Sequence, residues 1–396
     1  MEEKKIRRLV RGLLLAVLLL YTVPSMASGV TRCLLIGCDR FFLMPSTEPA
    51  SANNTAIMEA VLTDFLPEET VITRRENEPG TVEGFETLVA DTFSGADEAD
   101  ISLVYLSTHG ILLQGGDGPR LALLLSDGTR DEALEPERLR QILDTVPGRK
   151  ILILDACHSG AAIGDGSGTE RNCFRDGPYR VLVSCGAEEE SWFWNAEQDS
   201  YTGTGYFTSA LNSALRASDP EQIDPDGSGD VNLRELTGRI REIHGASTVY
   251  CWPGNSEDPL FCLPADRKAG SLLRGLRFGE PERNGDSLVL PVRFRAEEPV
   301  RLVYQLTPRR NGRWDFEHSV RLPDREKTGL TRGLLSPGEK ERSIRLTAKS
   351  LGEDGIALMQ IILLEGEGRP PAVEAGRVIR LDGGNCPPGQ EIPAGQ

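Results

Sequence analysis

Two short runs of the chain, 101–106 and 151–154, consist almost wholly of apolar residues. Such runs are typical of strands that are buried on both faces of a parallel sheet. Further strand-like runs lie at 33–37, 70–73, 179–184 and 248–251. Patterns with helical spacing lie between the runs, at 52–65, 83–93, 136–146 and 206–215. This alternation predicts an α/β, doubly wound domain with helices on both faces of a parallel sheet.

The pattern changes from about residue 270. Strand-like segments lie at 288–295, 300–306, 343–347 and 356–364, and turn signals such as Asn284-Gly285 separate them. No helical spacing accompanies these segments, which predicts an all-β, sandwich-like domain. We therefore expect an α/β domain over 28–265, a β-sandwich domain over 270–384 and a flexible tail over 385–396.

Residues 1–27 have the three parts of a secretory signal peptide. Basic residues between Lys4 and Arg11 precede an apolar run from Gly12 to Val23, and small residues follow at Ser25 and Ala27. The apolar run is shorter than the roughly 20 residues that span a bilayer comfortably. This pattern predicts a secreted or extracytoplasmic protein that is not held at the membrane once the signal is removed. An uncleaved N-terminal anchor remains the alternative.

The composition narrows the classes of function. Lys and Arg total 44 against 60 Asp and Glu, so the formal net charge is −16 and general nucleic-acid binding is unexpected. Only four His are present, which disfavours a zinc site built mainly from His. The eight Cys include no CxxC pair, and their disulfide connectivity cannot be read from the sequence.

A His and a Cys each follow an apolar run. The first run continues as Ser107-Thr-His109-Gly110, and the second as Asp155-Ala-Cys157-His158-Ser-Gly. Active sites of open α/β sheets form beyond the carboxyl ends of the strands, so both segments are expected at one edge. His158 is a rival base, but a side chain next to the nucleophile tends to point elsewhere. The other two His, His244 and His318, are expected at the surface.

These motifs resemble the caspase-like cysteine peptidases, within them the metacaspase and bacterial caspase-domain branch. The resemblance covers roughly residues 30–263 and includes a separation of about 50 residues between His and Cys. It implies a caspase-like parallel-sheet sandwich with Cys157 as nucleophile and His109 as the proton-transfer group. It also implies that the backbone N–H groups of Gly110 and Cys157 face the oxyanion. No cofactor is required for this chemistry.

The resemblance also implies a substrate pocket. In metacaspases an Asp two residues before the nucleophile favours Arg or Lys, and Asp155 matches that position. Ser107 matches a second pocket position. A third, acidic position corresponds to Asn53-Asn54 here, so that carboxylate is absent. A single carboxylate can still pair with a cationic side chain. The alternative is that Asp155 only holds neighbouring loop N–H groups.

Residues 224–235 follow the pattern of a calcium-binding EF-hand loop. Asp224, Asp226, Ser228 and Glu235 would supply side-chain oxygens, and Asp230 its backbone carbonyl. A helix over 233–243 would leave the loop. A plain acidic surface turn is the alternative reading.

Together these features predict an exported cysteine endopeptidase acting on peptide or protein substrates, calcium-responsive and cleaving after Arg or Lys. One alternative is a catalytically silent caspase-fold binding module that presents the sandwich domain to an unknown partner. Another is a thiol acyl transferase, such as a transpeptidase.

Overall fold

A computed structural model describes the fold of most of the chain. The described residues are 29–67, 69–115, 118–164, 172–194, 203–217, 219–264, 272–285, 287–323, 334–347, 355–365 and 372–380. The predicted signal peptide and flexible tail lie outside them. No helix in these segments is long and apolar enough to cross a membrane.

Residues 29–264 alternate between strands and helices. The strands are β1 (Thr31–Gly37), β2 (Val71–Glu76), β3 (Ile101–Ser107), β4 (Gly110–Gly115), β5 (Gly118–Ser126), β6 (Asp131–Leu134), β7 (Arg149–Asp155), β8 (Tyr179–Val183), β9 (Phe193–Trp194), β10 (Thr204–Gly205), β11 (Asp230–Asn232), β12 (Tyr250–Trp252) and β13 (Pro259–Cys262). The helices are α1 (Ala50–Phe65), α2 (Val82–Thr92), α3 (Pro136–Leu143), α4 (Tyr206–Leu215) and α5 (Leu233–His244).

Six of these strands form the central sheet, in the order β12-β8-β7-β3-β1-β2. All neighbours are parallel except β12, which runs antiparallel to β8. The six are the strands that the sequence predicts. Alternate residues of β1 enter two cores, with Cys33 and Leu35 on one face and Leu34 and Ile36 on the other. Helices α1, α4 and α5 cover the first face, and α2 and α3 the second, which confirms the predicted fold class.

The sequence prediction missed one part of this region. Strands β4, β5 and β6 form a separate three-stranded antiparallel sheet. Glycines in the sequence between Gln114 and Pro119 interrupt the alternation of strand and helix patterns on which the prediction relied. This sheet begins at Gly110, immediately after His109, and so lies beside the predicted catalytic residues.

The C-terminal region consists of antiparallel strands. They are β14 (Leu273–Phe278), β15 (Glu282–Asn284), β16 (Ser287–Ala296), β17 (Arg301–Arg310), β18 (Arg313–Trp314), β19 (Val320–Pro323), β20 (Gly338–Thr347), β21 (Ile356–Glu365) and β22 (Ala372–Arg380). One sheet contains β14, β15, β16 and β20, and the other contains β17, β18, β19, β21 and β22. The two sheets enclose a common apolar core, as in a sandwich.

The second sheet also packs against the central α/β region. Leu358, Ile362 and Val373 belong to the same apolar core as α4 and α5. The hydroxyl of Ser213 on α4 donates to the carbonyl oxygen of Val373 at 2.9 Å. The Nε2 amide of Gln305 donates to the hydroxyl of Tyr206 at 2.6 Å. The two regions therefore share buried surface: one face of the second sheet belongs to the core of the α/β region, and its other face belongs to the sandwich core.

The predicted surface position of His244 is wrong. Its side chain is 0% exposed, because the end of α5 packs between the central region and β22. Burial lowers the pKa of His244 to about 3, so the imidazole is neutral. Its Nδ1 accepts the backbone N–H of Ala246 at 3.1 Å and helps to end the helix. His318 is exposed, as predicted.

Candidate active site

The ends of β3 and β7 place the predicted site residues together. Ser107 and Asp155 are register partners at the ends of these parallel strands. His109 and Cys157 lie two residues further along each segment. All four residues line one cavity of about 70 Å³, together with residues 191–193 and Gly205. The sequence therefore predicted correctly that the His and the Cys meet at one edge of the sheet.

His109 is held by a loop that follows β1. Its Nε2 lies 2.9 Å from the carbonyl oxygen of Pro45. A carbonyl can only accept, so the proton is on Nε2 and Nδ1 has a free lone pair. The ring of Phe41 packs on the imidazole, with 4.5 Å between the ring centroids. These contacts fix both the tautomer and the orientation of the ring.

Cys157 occupies a tight turn after β7. Its Sγ donates to the carbonyl oxygen of Ser191 at 3.5 Å. Burial is the main cause that raises the pKa of the thiol to about 11, and the negative charges of Glu190 and Asp155 act in the same direction. The resting side chain is therefore a neutral thiol at neutral pH.

Gly110 allows the two strand-end segments to approach closely. A Cβ added at this position would lie 1.9 Å from the carbonyl oxygen of Cys157. Any side chain would therefore push the His-bearing and Cys-bearing segments apart.

His158 lies beside the nucleophile but contacts a different loop. Its backbone is left-handed, with φ of 62°, an uncommon conformation for a residue other than Gly. A ring nitrogen, Nδ1, lies 3.0 Å from the carbonyl oxygen of Ala187, and the backbone N–H donates to the carbonyl oxygen of Glu189 at 2.9 Å. His158 shapes the turn after β7, while its ring is engaged elsewhere.

Asp155 is buried at the base of the cavity and is 6% exposed. Its Oδ1 accepts from the Ser191 hydroxyl at 2.9 Å, and its Oδ2 from the Thr208 hydroxyl at 2.7 Å. The hydroxyl of Tyr105 donates to Oδ2 at 3.4 Å. Burial raises the pKa of Asp155, although these hydrogen bonds act against the increase. Among the described residues, no cationic side chain forms an ion pair with it.

Asn54 joins the two predicted pocket positions. Its Nδ2 donates to the hydroxyl of Ser107 at 3.0 Å and to Asp155 at 3.3 Å. Its Oδ1 accepts the backbone N–H of Gly205 at 2.7 Å. The structure therefore places the Asn54 amide in the wall of the cavity, beside Ser107 and Asp155.

The predicted calcium loop brings three carboxylates together. Asp224, Asp226 and Glu235 each present an oxygen within 4.8 Å of the others. Asp224 accepts the backbone N–H groups of Ser228 at 3.0 Å and Gly229 at 2.9 Å, which curls the loop around it.

The remaining predicted ligands lie in the same loop. The hydroxyl of Ser228 donates to the carbonyl oxygen of Asp230 at 3.1 Å. Glu235 and Asn232 form a capping box at the start of α5. Burial raises the pKa of Glu235, and the charges of Asp226 and Asp224 add to the increase.

Four residues that form hydrogen bonds with the candidate site residues were missed from the sequence. Pro45 acts through its backbone carbonyl, which no sequence pattern reveals. Tyr105 and Thr208 were predicted only as members of a strand and a helix. Ser191 could have been predicted as a site residue, because Ser191-Trp192-Phe193 is a polar and aromatic cluster in a loop that follows a predicted strand.

Comparison with known proteins agrees with this fold. Residues 30–240, more than half of the chain, match the family model that is described as a caspase domain. A search of curated proteins found no match.

Several solved structures are similar to parts of the chain. A protein from Geobacter sulfurreducens has 15% identity and a TM-score of 0.41, over 60% of this chain and 97% of that one. Caspase-1 from Spodoptera frugiperda has 17% identity and a TM-score of 0.36, over 55% and 78% of the two chains. A secreted cysteine protease from Bacteroides thetaiotaomicron, in complex with an irreversible peptide inhibitor, has 12% identity and a TM-score of 0.31, over 48% and 54%.

Proposed function

Because the chain belongs to the caspase-domain family, a family of cysteine peptidases, we propose that it is an exported endopeptidase that uses Cys157 and His109. One observation carries this proposal: both side chains line the same cavity, and the Pro45 carbonyl leaves Nδ1 of His109 free to accept a proton. A scaffold protein has no need of this pair in a fixed tautomer.

The neutral thiol defines the first chemical step. Sγ of Cys157 forms a bond to the carbonyl carbon of the scissile peptide while its proton passes to Nδ1 of His109. The C–N bond then breaks, and the proton on Nδ1 passes to the leaving amine. Water hydrolyses the thioester, which releases the carboxylic acid and restores the thiol.

The developing oxyanion needs donors that are already in place. The backbone N–H groups of Gly110 and Cys157 are suited to this role, because the two segments touch at these residues. Loss of one such donor in other enzymes costs about 100-fold or more in rate.

The preference for Arg or Lys rests on the unpaired charge of Asp155. Hydroxyl and amide donors surround the carboxylate, but none of them neutralises it. A cationic side chain of the substrate, placed before the scissile bond, would supply the missing charge and relieve the cost of burying the carboxylate.

A series of peptides that differ only in the residue before the scissile bond tests this proposal. We expect the wild type to prefer Arg or Lys, and Asp155→Asn to lose about 100-fold or more of kcat/KM on those peptides alone. Thr208→Val is the control, because it removes a hydrogen bond to Asp155 and keeps the charge. An equal loss on all peptides would mean that Asp155 is only structural.

The products of the same assay separate the two alternatives. Ligation to an added amine in place of hydrolysis would indicate a transpeptidase. No turnover of any peptide would favour a binding module.

Calcium binding by residues 224–235 is part of the proposal. The three clustered carboxylates repel one another, and a divalent cation would remove this repulsion. The oxygens present are the ligands that Ca²⁺ prefers, and the loop curls as such loops do. The Ser228 hydroxyl and the Asp230 carbonyl are the further ligands. Glu235 lies in the first turn of α5, so bound calcium would stabilise a helix that packs under the central sheet.

Export is proposed from the pattern of residues 1–27 alone, which lie outside the described residues. The substrate is accordingly expected to be an extracytoplasmic peptide or protein.

A further inference from the structure

The loop that holds His109 is unusually apolar for an exposed segment. Residues 41–45, here called the 41–45 loop, read Phe-Phe-Leu-Met-Pro. Within it, Phe42 is 64% exposed and Leu43 is 77% exposed. The described residues contain only three other large apolar side chains that are exposed, Val71, Val320 and Leu322. Apolar side chains that are exposed side by side are unfavourable in water, and in folded proteins they often mark a binding site.

Hydrogen bonds hold the exposed part of this loop in place. The backbone N–H groups of Phe42 and Leu43 donate to the two carboxylate oxygens of Asp131, at 2.9 and 2.8 Å. The N–H of Thr47 donates to the carbonyl oxygen of Asp39 at 3.0 Å and closes the loop. The two apolar side chains are therefore presented to solvent by a fixed backbone, which lowers the entropic cost of binding a partner.

The position of the 41–45 loop indicates which part of a substrate it would contact. Phe41 packs on the imidazole of His109, and Pro45 accepts its Nε2–H, so the loop flanks the group that protonates the leaving amine. The peptide segment that carries this amine must pass His109. Cys157, by contrast, is held from the loop that contains Ser191.

We propose that Phe42 and Leu43 bind apolar side chains of the substrate in the two positions that follow the scissile bond. This inference rests on the proposed peptidase function and adds a specificity on the leaving-group side. It predicts that the protein cleaves between a residue chosen by the Asp155 pocket and an apolar segment.

Two kinds of substrate with the same sequence before the scissile bond provide the test. One is a peptidyl aminocoumarin amide, which has no residues after that bond. The other is a set of internally quenched peptides that carry either Leu-Phe or Ser-Asp there. We expect the wild type to have a kcat/KM about tenfold higher for Leu-Phe than for Ser-Asp.

The variant is Phe42→Ser/Leu43→Ser, which changes only exposed side chains. It should lose the preference for Leu-Phe and hydrolyse the coumarin amide within about twofold of the wild-type rate. Val320→Ser/Leu322→Ser is the matched control, because it removes two exposed apolar side chains from a strand outside the cavity. This control should retain the preference.

Three results would overturn the inference and leave the peptidase function intact. The first is a wild type that cleaves the coumarin amide but shows no preference for Leu-Phe over Ser-Asp. The second is a Phe42→Ser/Leu43→Ser variant that keeps this preference. The third is a variant that loses as much activity on the coumarin amide as on the Leu-Phe peptide. A variant that changes from oligomer to monomer with its preference intact would make the loop a self-association surface, and the inference would be wrong. A wild type that hydrolyses neither substrate overturns the proposed function itself.

Discussion

At the scale of single residues, the environment of Cys157 decides how the thiol is activated. Burial and the negative charges of Glu190 and Asp155 disfavour the thiolate. The free protein therefore holds a neutral thiol, and in the proposed mechanism its attack must be coupled to proton transfer to His109. A cationic substrate would also reduce the negative potential at the sulfur.

The pH dependence of alkylation tests this state of Cys157. A raised pKa means that the thiolate fraction grows through the alkaline range, so reaction with iodoacetamide should accelerate about tenfold per pH unit from pH 7 to 10. Glu190→Gln should speed alkylation at pH 8 about two- to threefold, because it removes a neighbouring negative charge. Residue-resolved mass spectrometry follows Cys157, and Glu188→Gln is the control. An alkylation rate of Cys157 that does not change between pH 7 and pH 10 would indicate a preformed thiolate and imidazolium, and would contradict this prediction.

The placement of Cys157 and His109 in one cavity was predictable because side-chain chemistry and strand ends are both visible in the sequence. The hydrogen bond from His109 to Pro45 was not, because a backbone carbonyl is the same at every residue. The network around Asp155 joins Tyr105, Ser191 and Thr208, which are distant in sequence, and no local pattern marks such a network.

At the scale of elements, the six central strands follow from short apolar runs that can only be buried on both faces. The site lies where β3 and β7 end, so the runs that set the sheet also set the position of His109 and Cys157. The sheet of β4, β5 and β6 escaped prediction because Gly residues interrupt its pattern. Its first strand fixes Gly110 against Cys157.

The predicted calcium loop, residues 224–235, is an element whose proposed role can be measured by thermal unfolding. We expect calcium to raise the midpoint of the wild type by a few degrees, with half of the effect at roughly 0.1–1 mM. Asp224→Asn/Glu235→Gln should abolish this increase, since it removes two charges and retains acceptor atoms for the loop and for the capping box. Magnesium at equal concentration is the control.

Peptidase rate in the same titration tests the regulatory part of the proposal. An equal response of the wild type and the double variant, or no response of either, would mean that residues 224–235 form only a turn. A higher midpoint with an unchanged rate would leave a structural ion.

At the scale of the whole molecule, the C-terminal region contacts the wall of the candidate site. Phe316 packs against Trp192, which lines the cavity, with 4.4 Å between the ring centroids, and against Tyr206 at 5.5 Å. The sequence indicates two domains from the change in pattern near residue 270. It does not show that β21 and β22 contribute to the core of the first, because these contacts join residues far apart in the chain.

Substitution of Phe316 tests this coupling. Phe316→Ala should lower the free energy of unfolding by about 1–3 kcal/mol and reduce kcat/KM several-fold under conditions where the protein stays folded. Trp314→Ala is the control, because Trp314 packs against the same core but does not stack on Trp192. Denaturant titration gives the stability of each variant. An unchanged kcat/KM in Phe316→Ala would show that the C-terminal sheets do not position the cavity wall.

The central claim is that Cys157 is the nucleophile and His109 its proton-transfer partner. The most direct measurement is kcat/KM on one Arg- or Lys-containing peptide for Cys157→Ala, His109→Ala, Cys185→Ala and His158→Ala beside the wild type. Cys185 and His158 are matched controls, since each is a neighbouring Cys or His with its own hydrogen bonds. The account predicts that Cys157→Ala and His109→Ala lose all measurable activity while both controls keep most of it. Turnover by Cys157→Ala, or its loss only in Cys185→Ala, would contradict the account.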